Sequence, residues 1–320
     1  MLNSSTSNLP LVSVALCTYN GEQFLGKQLE SILRQTYTNL EIVIVDDCST
    51  DETISIVSKY QEKDRRVKYV VNETNLGFNK NFEKALKLCS GEFIAISDQD
   101  DIWVDSKIEQ LLDKIGDKLM VYANSGIIDN KDQRTGKLMI DEDRPEEEYR
   151  HFKSILINNF VSGHNLLFRK EALDYVLPFP EMGFYDWWMG FIMLYENSLA
   201  YCNEVLTLYR VHDTSVTNSL PVKSIKKKVD IMRKECETII EELSTFERYK
   251  GLKPQDARFL KNLKQGMYEK LNWHFSPTLF LILSGNLKNI FPGYKKGKYK
   301  TIAYSYRLAR GIKLHELLGK

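Results

Sequence analysis

The sequence predicts an α/β protein with a mostly parallel sheet flanked by helices, followed by a helical, basic C-terminal extension. Three observations carry this expectation. Strand-like and helix-like segments alternate over the first 125 residues, the pattern of βαβ units. The stretch Leu40–Val45 (L-E-I-V-I-V) is almost continuously apolar, as a strand covered on both faces is. Charge is also divided along the chain: residues 221–320 hold 22 Lys and Arg against 9 Asp and Glu, a net of +13. The totals of 44 basic and 43 acidic residues then leave 22 against 34, a net of −12, for residues 1–220. Two regions with different partners follow, 1–220 and 221–320.

The elements read in order. Val12–Leu16 is a short β-rich run, and Glu22–Gln35 sets Leu25, Leu29, Ile32 and Leu33 on one helical face. After the apolar strand, Ser49 and Thr50 precede D-E-T-I-S-I-V, with cap residues and acids in a first turn. Val67–Val71 reads as strand, Asn79–Cys89 as helix, Glu92–Ser97 as strand, Ser106–Lys114 as helix and Leu119–Ala123 as strand. Residues 129–150 are polar and acidic, a loop or short hairpin. Residues 152–212 mix helix-like and strand-like pieces, and the chain becomes helical after about 222.

Composition excludes several classes. With 43% hydrophobic and 27% charged residues, the chain is neither disordered nor fibrous. Five cysteines, odd in number and without a C-x-x-C pair, argue against a disulfide framework or zinc site and fit a reducing compartment. The start lacks a basic and an apolar signal region, and no apolar run is long enough to span a bilayer, so a cytoplasmic location is expected. The basic region reads either as a helical bundle with a solvated lysine face or as an attachment to the anionic inner leaflet. F-S-P-T-L-F-L-I-L and K-K-G-K-Y-K supply the apolar anchors and the charge for the second reading. No nucleic-acid recognition module accompanies that charge.

Three polar clusters fall at expected strand ends, where open parallel sheets bind ligands: C-T-Y-N (Cys17–Asn20), D-D-C-S (Asp46–Ser49) and D-Q-D-D (Asp98–Asp101). Tyr19 offers a flat ring to a nucleobase, and Asp47 or Asp46 a carboxylate to a base N–H. Asp98 and Asp100 can offer oxygens to a hard divalent ion that also grips phosphate. Asp101 reads as a helix-start residue. A calcium loop counted from Asp98 fails, because Trp103 stands where glycine is required and Ile102 at the preceding ligand position.

These segments, with N-L-G-F-N-K-N-F-E-K-A-L, S-G-E-F-I-A-I-S-D-Q-D-D-I-W, Y-D-W-W and Y-R-V-H, occur in an order that resembles the family 2 glycosyltransferases of the GT-A (Rossmann-like) fold. The resemblance runs from about Leu11 to Thr217 and is strongest to a bacterial rhamnosyltransferase-like branch. It implies an inverting, Mg²⁺- or Mn²⁺-dependent enzyme. The donor would be a nucleoside-diphosphate sugar, dTDP-rhamnose or a UDP-hexose. The acceptor would be a growing surface polysaccharide or lipid-linked saccharide. Tyr19 would stack on the base and Asp47 bind its imide N–H, with Thr18 beside them. Asp98 would meet the ribose or the metal shell, and Asp100 and His212 would ligate the ion. Ser162–Asn165, Gly163 included, would line the sugar and acceptor side, and Asp186 matches the family's catalytic base. Phe82 stands where relatives carry an arginine, leaving Lys80 as the phosphate-side cation. The competing expectations are a silent sugar-nucleotide-binding module and a sugar-nucleotide pyrophosphorylase, though the latter usually shows more glycine than C-T-Y-N-G-E.

Overall fold

The computed structural model describes residues 9–140, 151–211 and 225–318. These divide into two compact units. The described residues of 1–142, 161–179 and 198–213 form the first, and those of 143–160, 180–197 and 214–320 the second. The sequence reading sets the junction at residue 220. That junction itself lies outside the described residues, and 143–160 and 180–197 cluster with the C-terminal helices.

The first unit is built on one sheet. Its elements are β1 (Val12–Thr18), α1 (Leu25–Leu33), β2 (Leu40–Asp46), α2 (Thr53–Lys63), β3 (Val67–Val71), α3 (Phe78–Leu88), β4 (Phe93–Ser97), β5 (Ile102–Trp103), α4 (Lys107–Ile115), β6 (Met120–Ile128), β7 (Arg134–Leu138), β8 (Leu166–Arg169), α5 (Leu173–Val176) and, last, β9 (Leu199–Arg210). The strand order is β3-β2-β1-β4-β8-β6-β9-β5, with β7 hairpinned on β6. The run β3-β2-β1-β4 is parallel throughout. Beyond it the sheet is mixed: β8 lies antiparallel to both β4 and β6, β6 and β9 are parallel, and β5 is antiparallel to β9. Every residue of β2 and β4 is buried, which is why both read as apolar runs. Leu25, Leu29 and Ile32 of α1 are fully buried against that core, as their spacing requires.

A buried acid ties this sheet together at the edge where β1 and β2 begin. Glu41 accepts hydrogen bonds from Ser13 Oγ (2.5 Å), Ser90 N (2.6 Å), Ser90 Oγ (2.7 Å) and Lys68 Nζ (3.1 Å). Gly91 closes the buckle by donating to Ser13 Oγ, and a Cβ there would lie 2.7 Å from the Leu11 carbonyl oxygen. Burial opposes ionisation of Glu41, but the bonds from Ser13, Ser90 and Lys68 outweigh it and hold the carboxyl at about 2. A lowered value means stability that is full above the ordinary Glu range and lost as pH falls toward 2. Glu41→Ala is therefore expected to cost about 2–3 kcal/mol at neutral pH, and roughly half as much near pH 3. Urea unfolding of both proteins at the two pH values measures it.

The second unit is helical: α6 (Tyr185–Tyr195), α7 (Ile225–Phe246), α8 (Pro254–Asn272), α9 (Pro277–Ile290), α10 (Lys298–Leu308) and α11 (Ile312–Leu318), with a short 3₁₀ turn at Phe152–Ile155. The reason α6 belongs here is its composition. Apart from Asp186 it is apolar nearly all round, and such a helix must be covered on most sides. The Phe191 ring stacks on Phe246 of α7 at 4.3 Å, and Trp187 Nε1 donates to the Ile155 carbonyl (2.6 Å). No helix among the described residues is long and apolar enough to cross a membrane.

Candidate functional site

The carboxyl ends of β1, β2 and β4 bring three sequence clusters to one rim of the sheet. At the end of β1, buried Thr18 donates Oγ1 to Asp46 (2.7 Å), and Asp46 also accepts from Ser49 N (2.8 Å) and Ser49 Oγ (2.6 Å). Asp46 thus serves the loop itself. Tyr19, next in sequence, is 48% exposed, its backbone held at both polar atoms by one side chain. Tyr19 N donates to Gln99 Oε1 (2.9 Å), and Gln99 Nε2 donates to Tyr19 O (3.1 Å). A Cβ at Gly21 would lie 2.3 Å from the Gln99 oxygen, so the clamp depends on glycine there. Gln99 is a positioning residue that the spacing did not reveal.

Asp47 is buried, and its carboxylate accepts from Asn72 Nδ2 (2.8 Å), Leu76 N (2.8 Å) and Gly77 N (2.9 Å). It shapes the loop that enters α3. Lys80 is exposed on α3, while Phe82 is buried. The cation that reaches the network is Lys84, whose Nζ donates to Asn72 Oδ1 (2.7 Å). Lys84 shares a helical face with Lys80 one turn earlier, and that spacing was the signal available.

The D-Q-D-D segment divides differently from its sequence reading. Asp98 and Asp100 are half-buried, and Asp101 is fully buried. Asp101 does not start a helix. Ile102–Trp103 pairs with Leu208–Thr207 of β9 and carries Asp101 inward, and α4 begins only at Lys107. Asp101 Oδ1 accepts from Arg210 N (3.0 Å), and its Oδ2 has no hydrogen-bond partner. Oxygens of Asp98 and Asp101 and a ring nitrogen of His164 all lie within 4.8 Å of one another. His164 Nδ1 is 3.8 Å from Asp98 Oδ2 and 3.9 Å from Asp101 Oδ2. Two carboxylates and one imidazole are a donor set for a divalent ion, and the orphaned Oδ2 is a buried acceptor that an ion would satisfy. Asp100 is not in this cluster; its main-chain oxygen accepts from Arg210 Nε (2.7 Å). His212 lies outside the described residues.

Gly163 is buried in the 3₁₀ turn Gly163–Asn165 that delivers His164. Behind the cluster, His164 Nε2 meets Ser125 Oγ at 2.7 Å, and the ring stacks on Tyr209. The tautomer in which Nε2 donates to Ser125 leaves the Nδ1 lone pair turned to the carboxylates. Asn165 Nδ2 donates to the same Ser125 Oγ, and Thr207 Oγ1 donates to Asn165 Oδ1 (2.6 Å). Lys107 is fully buried: Nζ donates to the His164 carbonyl (2.6 Å) and to Thr207 Oγ1 (2.8 Å), 3.9 Å from the Trp103 ring centre. Burial, then the charges of Asp100 and Asp98, pushes the Asp101 carboxyl well up. Burial, then Lys107, lowers His164 to about 3, and burial pushes Lys107 well down. Desolvation thus drives all three toward their neutral forms.

In the second unit, every residue of Tyr185–Leu194 is buried except Asp186, which is half-exposed. Its Oδ1 accepts from Trp187 N (2.7 Å) and Asn159 Nδ2 (3.2 Å). Trp187 and Trp188 are core residues of this unit. Glu242 of α7, wholly buried, accepts from Phe184 N (2.8 Å) and keeps Oε2 without a partner. Burial raises its carboxyl to about 8, helped by the charges of Asp186 and Glu241 and opposed by the Phe184 bond. Gly183, at φ +81, allows the close approach, since a Cβ there would lie 2.7 Å from Glu242 Oε1.

Residues 13–177, just over half of the chain, match the family model described as Glycosyl transferase family 2, and the chain belongs to that family. An uncharacterized glycosyltransferase of Haemophilus influenzae is 32% identical over 227 residues, covering 66% of this chain and 68% of the relative. A UDP-Glc:alpha-D-GlcNAc-diphosphoundecaprenol beta-1,3-glucosyltransferase of Escherichia coli is 28% identical over 225 residues, covering 69% of this chain and 85% of the relative. Among solved structures, a mannosyltransferase of Pyrobaculum calidifontis in complex with GDP-Man and Mn²⁺ superposes with a TM-score of 0.59 at 17% identity. It covers 98% of this chain and 86% of its own. The enzyme is a glycosyltransferase whose mixed sheet flanked by helices matches the GT-A expectation.

Proposed function

We propose that this glycosyltransferase moves a sugar, with inversion and in a divalent-ion-dependent reaction, from a nucleoside-diphosphate donor to a saccharide hydroxyl. The carrying observation is the Asp98–Asp101–His164 cluster at the carboxyl end of β4. The donor is dTDP-rhamnose or a UDP-hexose, and the acceptor a growing surface polysaccharide or a lipid-linked saccharide at the cytoplasmic face of the membrane. The Escherichia coli relative, named for an undecaprenol-linked acceptor, favours the lipid-linked form.

Tyr19 stacks on the base, and Asp47, with Thr18 behind it, orders the loop against which the base N–H binds. Lys80 and Lys84 supply positive charge on the phosphate side. Asp98, Asp101 and His164 would hold Mg²⁺ or Mn²⁺, with Asp100 the competing ligand and His212 a further one implied by the family pattern. When bound, the ion stabilises charge on the departing diphosphate. Asp186 takes the acceptor hydroxyl proton as that oxygen bonds to the anomeric carbon; the bond from that carbon to the diphosphate oxygen breaks on the opposite face. The catalytic machinery then draws on residues 1–220, and 221–320 serves attachment.

Incubation with a panel of UDP-, dTDP- and GDP-sugars, with and without Mn²⁺, tests this reading. The expected result is release of nucleoside diphosphate from one donor class, abolished by EDTA and restored by Mn²⁺. Turnover that persists in EDTA removes the ion's role, and binding of donors without release from any favours the silent module.

A further inference from the structure

We propose that the outward face of α10, with the lysines that lead into it, docks on an anionic lipid bilayer surface, an inference that deepens the membrane-attachment reading and rests on it. Tyr299, Ile302 and Tyr306 recur at i, i+3 and i+7, so they share one face of α10. They are 89%, 41% and 55% exposed, a stripe of two tyrosines and an isoleucine that water would not select. Tyr306 is backed by Phe275 and Phe280, whose ring centres lie 5.1 and 6.3 Å away. Rings with an apolar body and a polar tip suit the boundary between headgroups and acyl chains.

The charge beside this stripe points to the same occupant. Residues 291–318 carry five lysines and two arginines against the single acid Glu316, which is itself ion-paired with Arg233. Lys295, Lys296, Lys298 and Lys300 are all exposed and sit just before or within the first turn of α10, which has no acidic residue. That is the positive end of the helix dipole, where cations work against the helix's own electrostatics. Their placement lowers α10's intrinsic stability, and an anionic surface outside the protein reverses that penalty. Apolar side chains on one helical face with lysines around them are what interfacial binding uses. Among the described residues no helix can span a bilayer, so the contact is with its surface.

The test is co-sedimentation of the full chain with phosphatidylcholine vesicles, with and without phosphatidylglycerol, alongside release of nucleoside diphosphate from a soluble donor. Wild type is expected to bind the anionic vesicles at least tenfold more tightly than the neutral ones, and to lose that preference in high salt. Tyr299→Ser with Ile302→Ser, and separately Gln at the four lysines, are each expected to weaken binding tenfold or more while donor turnover is unchanged. Equal binding to both vesicle types, or variants that bind like wild type, overturns the docking surface and leaves the sugar-transfer reading intact. Vesicle binding in a protein that turns over no donor does the reverse. Loss of a concentration-dependent dimer in the Tyr299 variant, without any vesicle binding in wild type, assigns the face to a second copy and also overturns it.

Discussion

Asp186→Asn is expected to lower the rate of sugar transfer by about 100- to 10,000-fold, the range of a lost general base, with little change in donor affinity. The amide keeps the shape and the acceptor oxygen that serves Trp187 N and Asn159 Nδ2, so α6 remains seated. What is lost is the ability to take a proton. Steady-state transfer rates over a range of donor concentrations check it, and full transfer in the variant would sink the assignment. Glu242 adds a pH dependence to the same region. Its raised value means stability fully present below the ordinary Glu range, near pH 4.3, and lost as pH rises to about 8. Glu242→Gln resembles the neutral acid at every pH and keeps an acceptor for Phe184 N. A stability gap in the variant's favour should therefore open above about pH 4.3 and level off above about pH 8. Urea unfolding across that window measures it, and a gap that does not change with pH would show that Glu242 is ionised throughout.

The second large effect concerns the ion. Asp101→Asn is expected to weaken Mn²⁺ binding by more than the roughly 10–100-fold that outer-shell partners command, because it removes a ligand rather than a support. The metal-free protein should unfold at nearly the same temperature as wild type. The buried Asp101 carboxyl is held toward its neutral form, which the amide imitates, and the amide oxygen still accepts from Arg210 N. Calorimetric titration with Mn²⁺ in the presence of UDP separates this from the D-x-D reading. If Asp100→Asn abolishes binding and Asp101→Asn does not, Asp100 is the ligand.

The parallel half of the sheet was legible because burial on both faces leaves a continuous apolar signal. The mixed half was not. The four residues of β8, L-L-F-R, are too few for periodicity to separate strand from helix, and β9 is interrupted by register shifts against β6. The site followed the same division. That Tyr19, Asp47 and Asp98 stand at strand ends was readable, because local sequence carries them there. The gathering of Asp101, His164 and Lys107 was not, because distant pairings bring them together, although Asp101 lay in the D-Q-D-D cluster and His164 in the stretch Ser162–Asn165. The pairing of the two-residue β5 with β9 and the bond from Arg210 N hold Asp101 inward. Lys107, in S-K-I-E-Q-L-L-D-K, reads as a surface lysine and finds its acceptors on His164 and Thr207. Phe82, where the sequence departs from the family pattern, is buried.

The amide clamp of Gln99 on Tyr19 gives the middle letter of D-Q-D a mechanical meaning. The loop that would meet the base and the segment that carries Asp98 and Asp101 are bolted together through a single side chain. In the proposed reading, a change in how the base stacks is transmitted to the ion's ligands, and a looser ion site softens the grip on the base. Nucleotide preference and metal preference would then not vary independently. An attempt to re-engineer one of them at Tyr19 or Gly21 should be expected to disturb the other.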